Sequence, residues 1–478
     1  MTFDNNFWVT SESVNGGAIN FTYDNDGRLK SAGDLTITRN GQNGFLTGTA
    51  LVNASVAIVD SYVYSTFGET ASYNAKVGGA AVFDVQYTRD DIGRIVTKTE
   101  TVGGTTTVYE YGYDVAGRLV SVKEDGVVVS TYDYDANGNR ITAVTKTGTY
   151  QGFYDLQDRM TKYGDASYTY TANGELLSKV EPAGTTSYNY DVYGNLRGAT
   201  MPDGTSIEYV IDANNRRIGK KVNGALVQGF IYKDQLEPVA ELDGAGNVVA
   251  RFVYASKGHV PDYMIKGGVI YRIISDHLGS VRLVVKASDG SIAQRIDYDE
   301  FGNVVTDSNP GFQPFAFVGG IYDQHTQLTR FGARDYDAIT GRWAVKDPIL
   351  FDGGDHNLYR YVLNNPIDNS DINGMFPLHI SFGCAYVLAI LQMQFELLIP
   401  FGHGDKYLHC VVSCKLTKYC GTAGAAAMGL SKEILDNKYD TDSFTDLIAD
   451  YEGIKCYWEI QLSCPCDTCE CCCGKKYE

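Results

Sequence analysis

Tyrosines and aliphatic residues alternate with polar ones along much of the chain, and Asp and Gly interrupt the alternation at regular intervals. The recurring unit is Tyr-x-Tyr-Asp-x-x-Gly-Arg/Asn-Leu. It reads FTYDNDGRL at 21–29, YTRDDIGRI at 87–95, YGYDVAGRL at 111–119, YDYDANGNR at 132–140, YTYTANGEL at 168–176 and YNYDVYGNL at 188–196, with a worn copy, YVIDANNRR, at 209–217. In the best-preserved stretch the copies follow one another at Tyr113, Tyr134, Tyr154, Tyr170 and Tyr190, about 20 residues apart. A period of two puts both tyrosine rings of a unit on one face of a strand. The Asp accepts hydrogen bonds from backbone amides two residues on, and the Gly supplies the positive φ that closes a turn. Stretches such as Leu119-Val120-Ser121-Val122 and Ile141-Thr142-Ala143-Val144 resume the alternation as the returning strand. Each unit is therefore predicted to be a β-hairpin. Isolated hairpins are marginal in water, so neighbours must pair edge to edge and stack their tyrosines in rows. The expected fold is mainly β, one long ribbon sheet that coils into a spiral or barrel-like shell because strand twist accumulates with a fixed hand. A ribbon of this length makes about one turn around a compact domain of roughly 100 residues, an open girdle rather than a sealed container.

Composition narrows the choice of function. The 478 residues include 35 Tyr, 52 Gly and 11 Pro, which suits β-structure with glycine turns and not disorder. A net charge of -18 repels a phosphate backbone, so the shell is not expected to bind nucleic acid. The opening MTFDNNFWVTSE has neither the basic nor the apolar segment of a secretory signal, so export is expected by a non-classical route, to the medium or the cell surface. The Asp-x-x-Gly turns lack the run of alternating oxygen ligands that calcium needs, and capping is their expected role. No cofactor is expected.

All 11 cysteines lie at or beyond Cys384, which places a boundary near Met375. Beyond it an α-containing, Cys-rich domain is expected at 376–478. The run at 380–401 is the most apolar of the chain but carries Gln392, Gln394 and Glu396 near its centre, so a buried helix is expected and not a stable membrane span. A second helix is predicted at 425–436. His403, His409, Cys410, Cys414 and Cys420 leave zinc, disulfide or a catalytic thiol open, and six cysteines in CPCDTCECCCG at 464–474 leave disulfides or a soft metal open. With no Arg, and eight Lys against thirteen Asp and Glu, the tail is a poor fit to a nuclease.

The repeats, together with DHLGSVRLVV (276–285), YDEFGNVV (298–305), FGARDYDAITGRWAVKDPI (331–349) and NLYRYVLNNPIDNSDINGM (357–375), resemble the Rhs/YD-repeat family and its core-associated region. The resemblance implies a β-shell at 1–330, a closing core region at 331–375 and a variable C-terminal toxin at 376–478 that the shell encloses as cargo. It also implies an immunity protein and a secretion-system component as partners. The family's boundary pattern is one Asp-Pro, about two dozen residues, then Asp-Pro-x-Gly-Leu, after which many members cut their own chain. Here Asp347-Pro348 and Asp371-Ile372-Asn373-Gly374-Met375 stand in those places. The resemblance thus makes Asp347 and Asp371 the catalytic carboxylates and Met375–Phe376 the cleaved bond.

Peptide hydrolysis fits such a pair. One ionised carboxyl takes a proton from water while a protonated one polarises the carbonyl, and two like charges at close range push their pKa values apart. Gly374 permits the backbone to bend into reach. Lys346, or Arg342, is the expected cation for the ionised carboxylate or the developing oxyanion. Ile372 in place of proline is expected to loosen the turn that aims Asp371, and Met375 replaces leucine. Asp368 rivals Asp371 by proximity but lies outside the family register. The alternative is that both aspartates simply cap turns, in a non-enzymatic YD-repeat surface or adhesion protein with a disulfide- or metal-stapled tail.

Overall fold

The computed structural model describes residues 1–51 and 55–375. Phe376, the apolar run at 380–401, the helix expected at 425–436 and both cysteine groupings lie outside the described residues.

Between Thr2 and Asp307, thirty strands form one antiparallel sheet. Neighbours in sequence are neighbours in space: Thr105–Tyr113 pairs with Leu119–Glu124, and Val127–Tyr134 with Arg140–Thr145. The predicted hairpins and the ribbon they build are both present.

One turn design recurs along an edge of the ribbon. Asp114 Oδ1 accepts the N–H groups of Ala116 and Arg118, both at 2.9 Å, while its Oδ2 accepts Arg118 Nε at 2.6 Å. Asp90, Asp155 and Asp212 repeat this set. Gly117 takes φ +81° at the fourth position; in worn copies Asp158 and Asn215 take φ 59° and 61°, which these residue types tolerate.

The alternation alone does not reveal how one hairpin holds the one before it. At four places a tyrosine donates its O–H to the carbonyl just past the preceding turn. Tyr113 reaches Ile95 at 2.7 Å, Tyr134 reaches Leu119 at 2.8 Å, Tyr154 reaches Arg140 at 2.9 Å and Tyr232 reaches Arg217 at 3.0 Å. The arginine of that preceding turn lies over the same ring, Arg94 at 4.8 Å from the Tyr113 centroid and Arg118 at 5.0 Å from that of Tyr134. In these places the turn is thus fastened to the tyrosine strand that follows it.

The ribbon coils so that its late strands return to its early ones. Strands from Tyr263 to Tyr298 lie over the first third of the ribbon. Arg282 forks onto Glu100 at 2.6 and 2.9 Å, Arg272 meets Asp60 at 2.6 Å, and Tyr132 donates to Glu300 at 2.6 Å. Leu35, Phe83, Val122 and Tyr132 share one core with Ile274, Leu283 and Val285. On the other face of the late strands, Ile273, Val281 and Val284 pack with Phe252 and Phe315. Burial on both faces is why Val281–Lys286 reads VRLVVK without alternation.

Past Asp307 the chain leaves the ribbon and builds a plug. Four short strands, Ile321–Tyr322, Leu328–Phe331, Arg334–Asp337 and Arg342–Trp343, form a second sheet. Phe317, Phe331, Tyr336, Trp343 and Tyr361 make its aromatic core, the rings of Tyr336 and Tyr361 lying 4.4 Å apart. Plug side chains bond to one repeat turn after another. Asn364 Nδ2 donates to Gly138 O (2.8 Å), Arg342 to Asn139 Oδ1 (2.8 Å), Tyr359 to Gly174 O (2.8 Å) and Arg330 to Asn195 Oδ1 (3.0 Å). Among the described residues no helix is long and apolar enough to cross a membrane.

Candidate functional site

Asp347 and Asp371, 24 positions apart in sequence, meet on a single guanidinium. Arg334 Nη2 lies 2.8 Å from Asp347 Oδ2 and 2.9 Å from Asp371 Oδ2. The cation is therefore neither Lys346 nor Arg342. Those two were expected because they stand near Asp347 in sequence, but the fold sends them elsewhere. Lys346 lays its stem over Gly174, where an added Cβ would sit 2.5 Å from Lys346 Cε. Arg342 is taken up by the repeat turns, at Asn139 and at the Asp158 carbonyl. Arg334 is buried with its guanidinium carbon 4.1 Å from the Trp343 ring centroid, so aromatic packing holds the fork in place.

Each carboxylate is aimed by its own turn. Asp347 Oδ1 accepts the Ile349 N–H at 3.0 Å, and its backbone N–H donates to Leu358 O at 3.0 Å. Asp371 opens an Asp-x-x-Gly turn like those of the repeats: its Oδ1 accepts the N–H of the residue four on, Met375, at 3.2 Å, and Gly374 takes φ +66°. Ile372, partly buried, packs against the aromatic core of the plug. Asp368 stands apart, accepting the Ile95 N–H at 2.8 Å and the Asn365 amide at 2.9 Å, a tie between plug and ribbon.

The peptide before the expected cut is pinned as well. Arg334 Nε donates to Gly374 O at 2.5 Å, and the Ala333 N–H donates to Asn373 O at 2.9 Å. Glycine is needed here because a Cβ at 374 would lie 2.3 Å from the Phe331 carbonyl. On the other side, a Cβ at Gly353 would lie 3.1 Å from Asp347 Oδ2 and 3.4 Å from Met375 O, so that acid and that carbonyl flank one small gap. The adjoining cleft, lined by Arg334, Asp347, Gly353, Asp355, Arg360 and Asp371, has room for a single water. Burial pushes the Asp347 carboxyl above its usual range and Arg334 opposes that shift. Two carboxylates, a water-sized space, a fixed cation and an adjacent peptide form a constellation suited to acid–base hydrolysis. Among the described residues, no group of three or more His, Cys, Asp or Glu is placed to hold a metal ion.

A family model described as Teneurin YD-shell matches residues 1–367. Teneurin-4 of Mus musculus is 30% identical over 308 residues, covering 60% of this chain and 11% of that protein. The tRNA3(Ser)-specific nuclease WapA of Bacillus spizizenii is 29% identical over 263 residues, covering 52% and 11%. The crystal structure of TcdB2-TccC3-TEV shares the fold, with a TM-score of 0.55 at 16% identity over 78% of this chain and 21% of that one. This chain spans 11% of the length of either relative.

Proposed function

The chain belongs to the Teneurin YD-shell family, and from that premise we propose that it is a carrier that cuts itself after Met375 and so frees residues 376–478 as a toxin-type effector. Residues 1–330 act as the shell, 331–375 as the closing core region that carries the cutting site, and the remainder as cargo. The observation that supports this most is the meeting of Asp347 and Asp371 on Arg334, beside the N–H and within reach of the carbonyl of Met375. A pair of turn caps has no need of a shared buried guanidinium, whose two ion pairs carry a desolvation penalty of several kcal/mol. The nuclease named among the relatives supports an effector at the end of such a shell; the acidic, Arg-free tail argues for a target other than nucleic acid. An immunity protein, a secretion component and release to the medium or cell surface complete the proposal.

Intact mass of the purified chain tests it. Two fragments meeting at Met375/Phe376 are expected from the natural sequence, and an unbroken chain from Asp347→Asn or Asp371→Asn. An unbroken natural chain leaves the non-enzymatic surface-protein reading standing.

A further inference from the structure

Two buried arginines share one acid where the ribbon meets the plug. Arg217, on the ribbon strand Arg217–Val222, donates from Nη2 to Asp335 Oδ1 at 2.8 Å, and Arg330, on the plug strand Leu328–Phe331, donates from Nη1 to Asp335 Oδ2 at 3.0 Å. None of the three side chains is more than 3% exposed. The nearby acids are already paired, Asp323 with Lys220 Nζ at 2.7 Å and Asp212 with Arg216 Nη2 at 2.7 Å. Tyr209 stacks on Arg217, its ring centroid 3.6 Å from the guanidinium carbon, but a ring carries no net charge. Among the described residues, two guanidiniums against one carboxylate thus leave one buried positive charge unbalanced, which is costly. The donors are unmatched too: Arg217 Nε and Arg330 Nε are both buried without an acceptor.

Both arginines line a cavity of about 40 Å³ that also touches Arg216, His259 and Gly320 and has no carboxylate in its wall. His259 donates from Nε2 to Leu278 O at 3.0 Å, and burial holds its imidazole below the usual range, so the positive charge there belongs to the arginines. Gln235, on the same wall, is exposed and gives the cavity a side toward solvent. The space exceeds what one water needs and falls far short of a nucleotide or sugar site. We infer that this cavity binds a small monovalent anion of halide size, and that the anion staples the plug to the ribbon by balancing the charge that Arg217 brings from one and Arg330 from the other. A water in the same place supplies an acceptor but no charge. A divalent oxyanion reverses the imbalance instead of removing it.

The test is urea unfolding of the purified full-length chain at constant ionic strength, with sodium gluconate, whose anion is too large for the cavity, replaced stepwise by sodium chloride. One anion bound to the folded state alone lowers the unfolding constant about 10-fold for each tenfold rise in chloride above its Kd, and that slope is expected of the natural chain. R330Q removes the unbalanced charge and is expected to lose the dependence, while D335N adds to that charge and is expected to reach the same slope at lower chloride. Equal unfolding of the natural chain in gluconate and chloride overturns the inference. A dependence that survives whole in R330Q is a general salt effect and overturns it too. If neither variant folds, crystals of the natural chain grown in sodium bromide decide by anomalous scattering: a bromide peak in the cavity between Arg217 and Arg330 is expected, and a cavity without one overturns the site. All of these residues lie before Met375, so the outcome does not depend on whether the chain cuts itself.

Discussion

Arg334 does in three dimensions what proximity in sequence assigned to Lys346. Asp347 and Asp371 were legible because each opens a short turn at a spacing that the family resemblance makes meaningful. Arg334 was not, since it stands 37 positions before Asp371 and its aim depends on Trp343 and on the sheet that carries both. The tyrosines show the same limit. Their shared face follows from a period of two, but the hydroxyl's reach to the carbonyl past the previous turn depends on how neighbouring hairpins pair. Tyr134→Phe keeps the ring over which Arg118 lies and removes one O–H donated to Leu119 O, so a loss of about 1 kcal/mol is expected in urea unfolding. An unchanged midpoint would mean that the ring alone holds the hairpins together.

The strand Val281–Lys286 is tied to the strand Ile95–Val102 by the fork of Arg282 on Glu100. Burial by itself would raise the Glu100 carboxyl, but Lys98 and Arg282 outweigh it and hold the group down at about 2. The sign follows from linkage. A carboxyl depressed on folding contributes its full stability above the unfolded value near 4.5 and loses it as pH falls through about 2. The natural chain is therefore expected to exceed Glu100→Gln in stability at pH 7, with the gap closing below pH 4.5 toward 2 in unfolding curves taken across that range. A gap independent of pH would show that the pair acts by shape and not by charge. This inter-strand tie was hidden in the alternation, yet one sign of it was available. Where consecutive Leu283, Val284 and Val285 break the alternation, the strand has no face left for solvent.

The winding of the ribbon onto itself leaves two surfaces that need the plug, the tyrosine rows and the outer face of the late strands. Ile273, Val281 and Val284 pack with Phe315, and Tyr170 meets Tyr359 edge-on at a centroid distance of 5.9 Å. A chain stopped at residue 311 is expected to expose both, to bind a hydrophobic dye and to self-associate, as size exclusion with light scattering would show. A monomeric, dye-silent fragment would mean that the ribbon stands without its plug. The period of the repeats made the ribbon and its coiling readable, but nothing local in a hairpin states which later strands will lie across its face. Plug residues grip turns drawn from the early and middle ribbon, and the acids that face Met375 are seated on that same plug. Under the proposed self-cleavage, chemistry at the boundary is a clock that starts only when ribbon and plug have both coiled: a half-made polypeptide has no blade, and the act of severing would certify that everything upstream is in order.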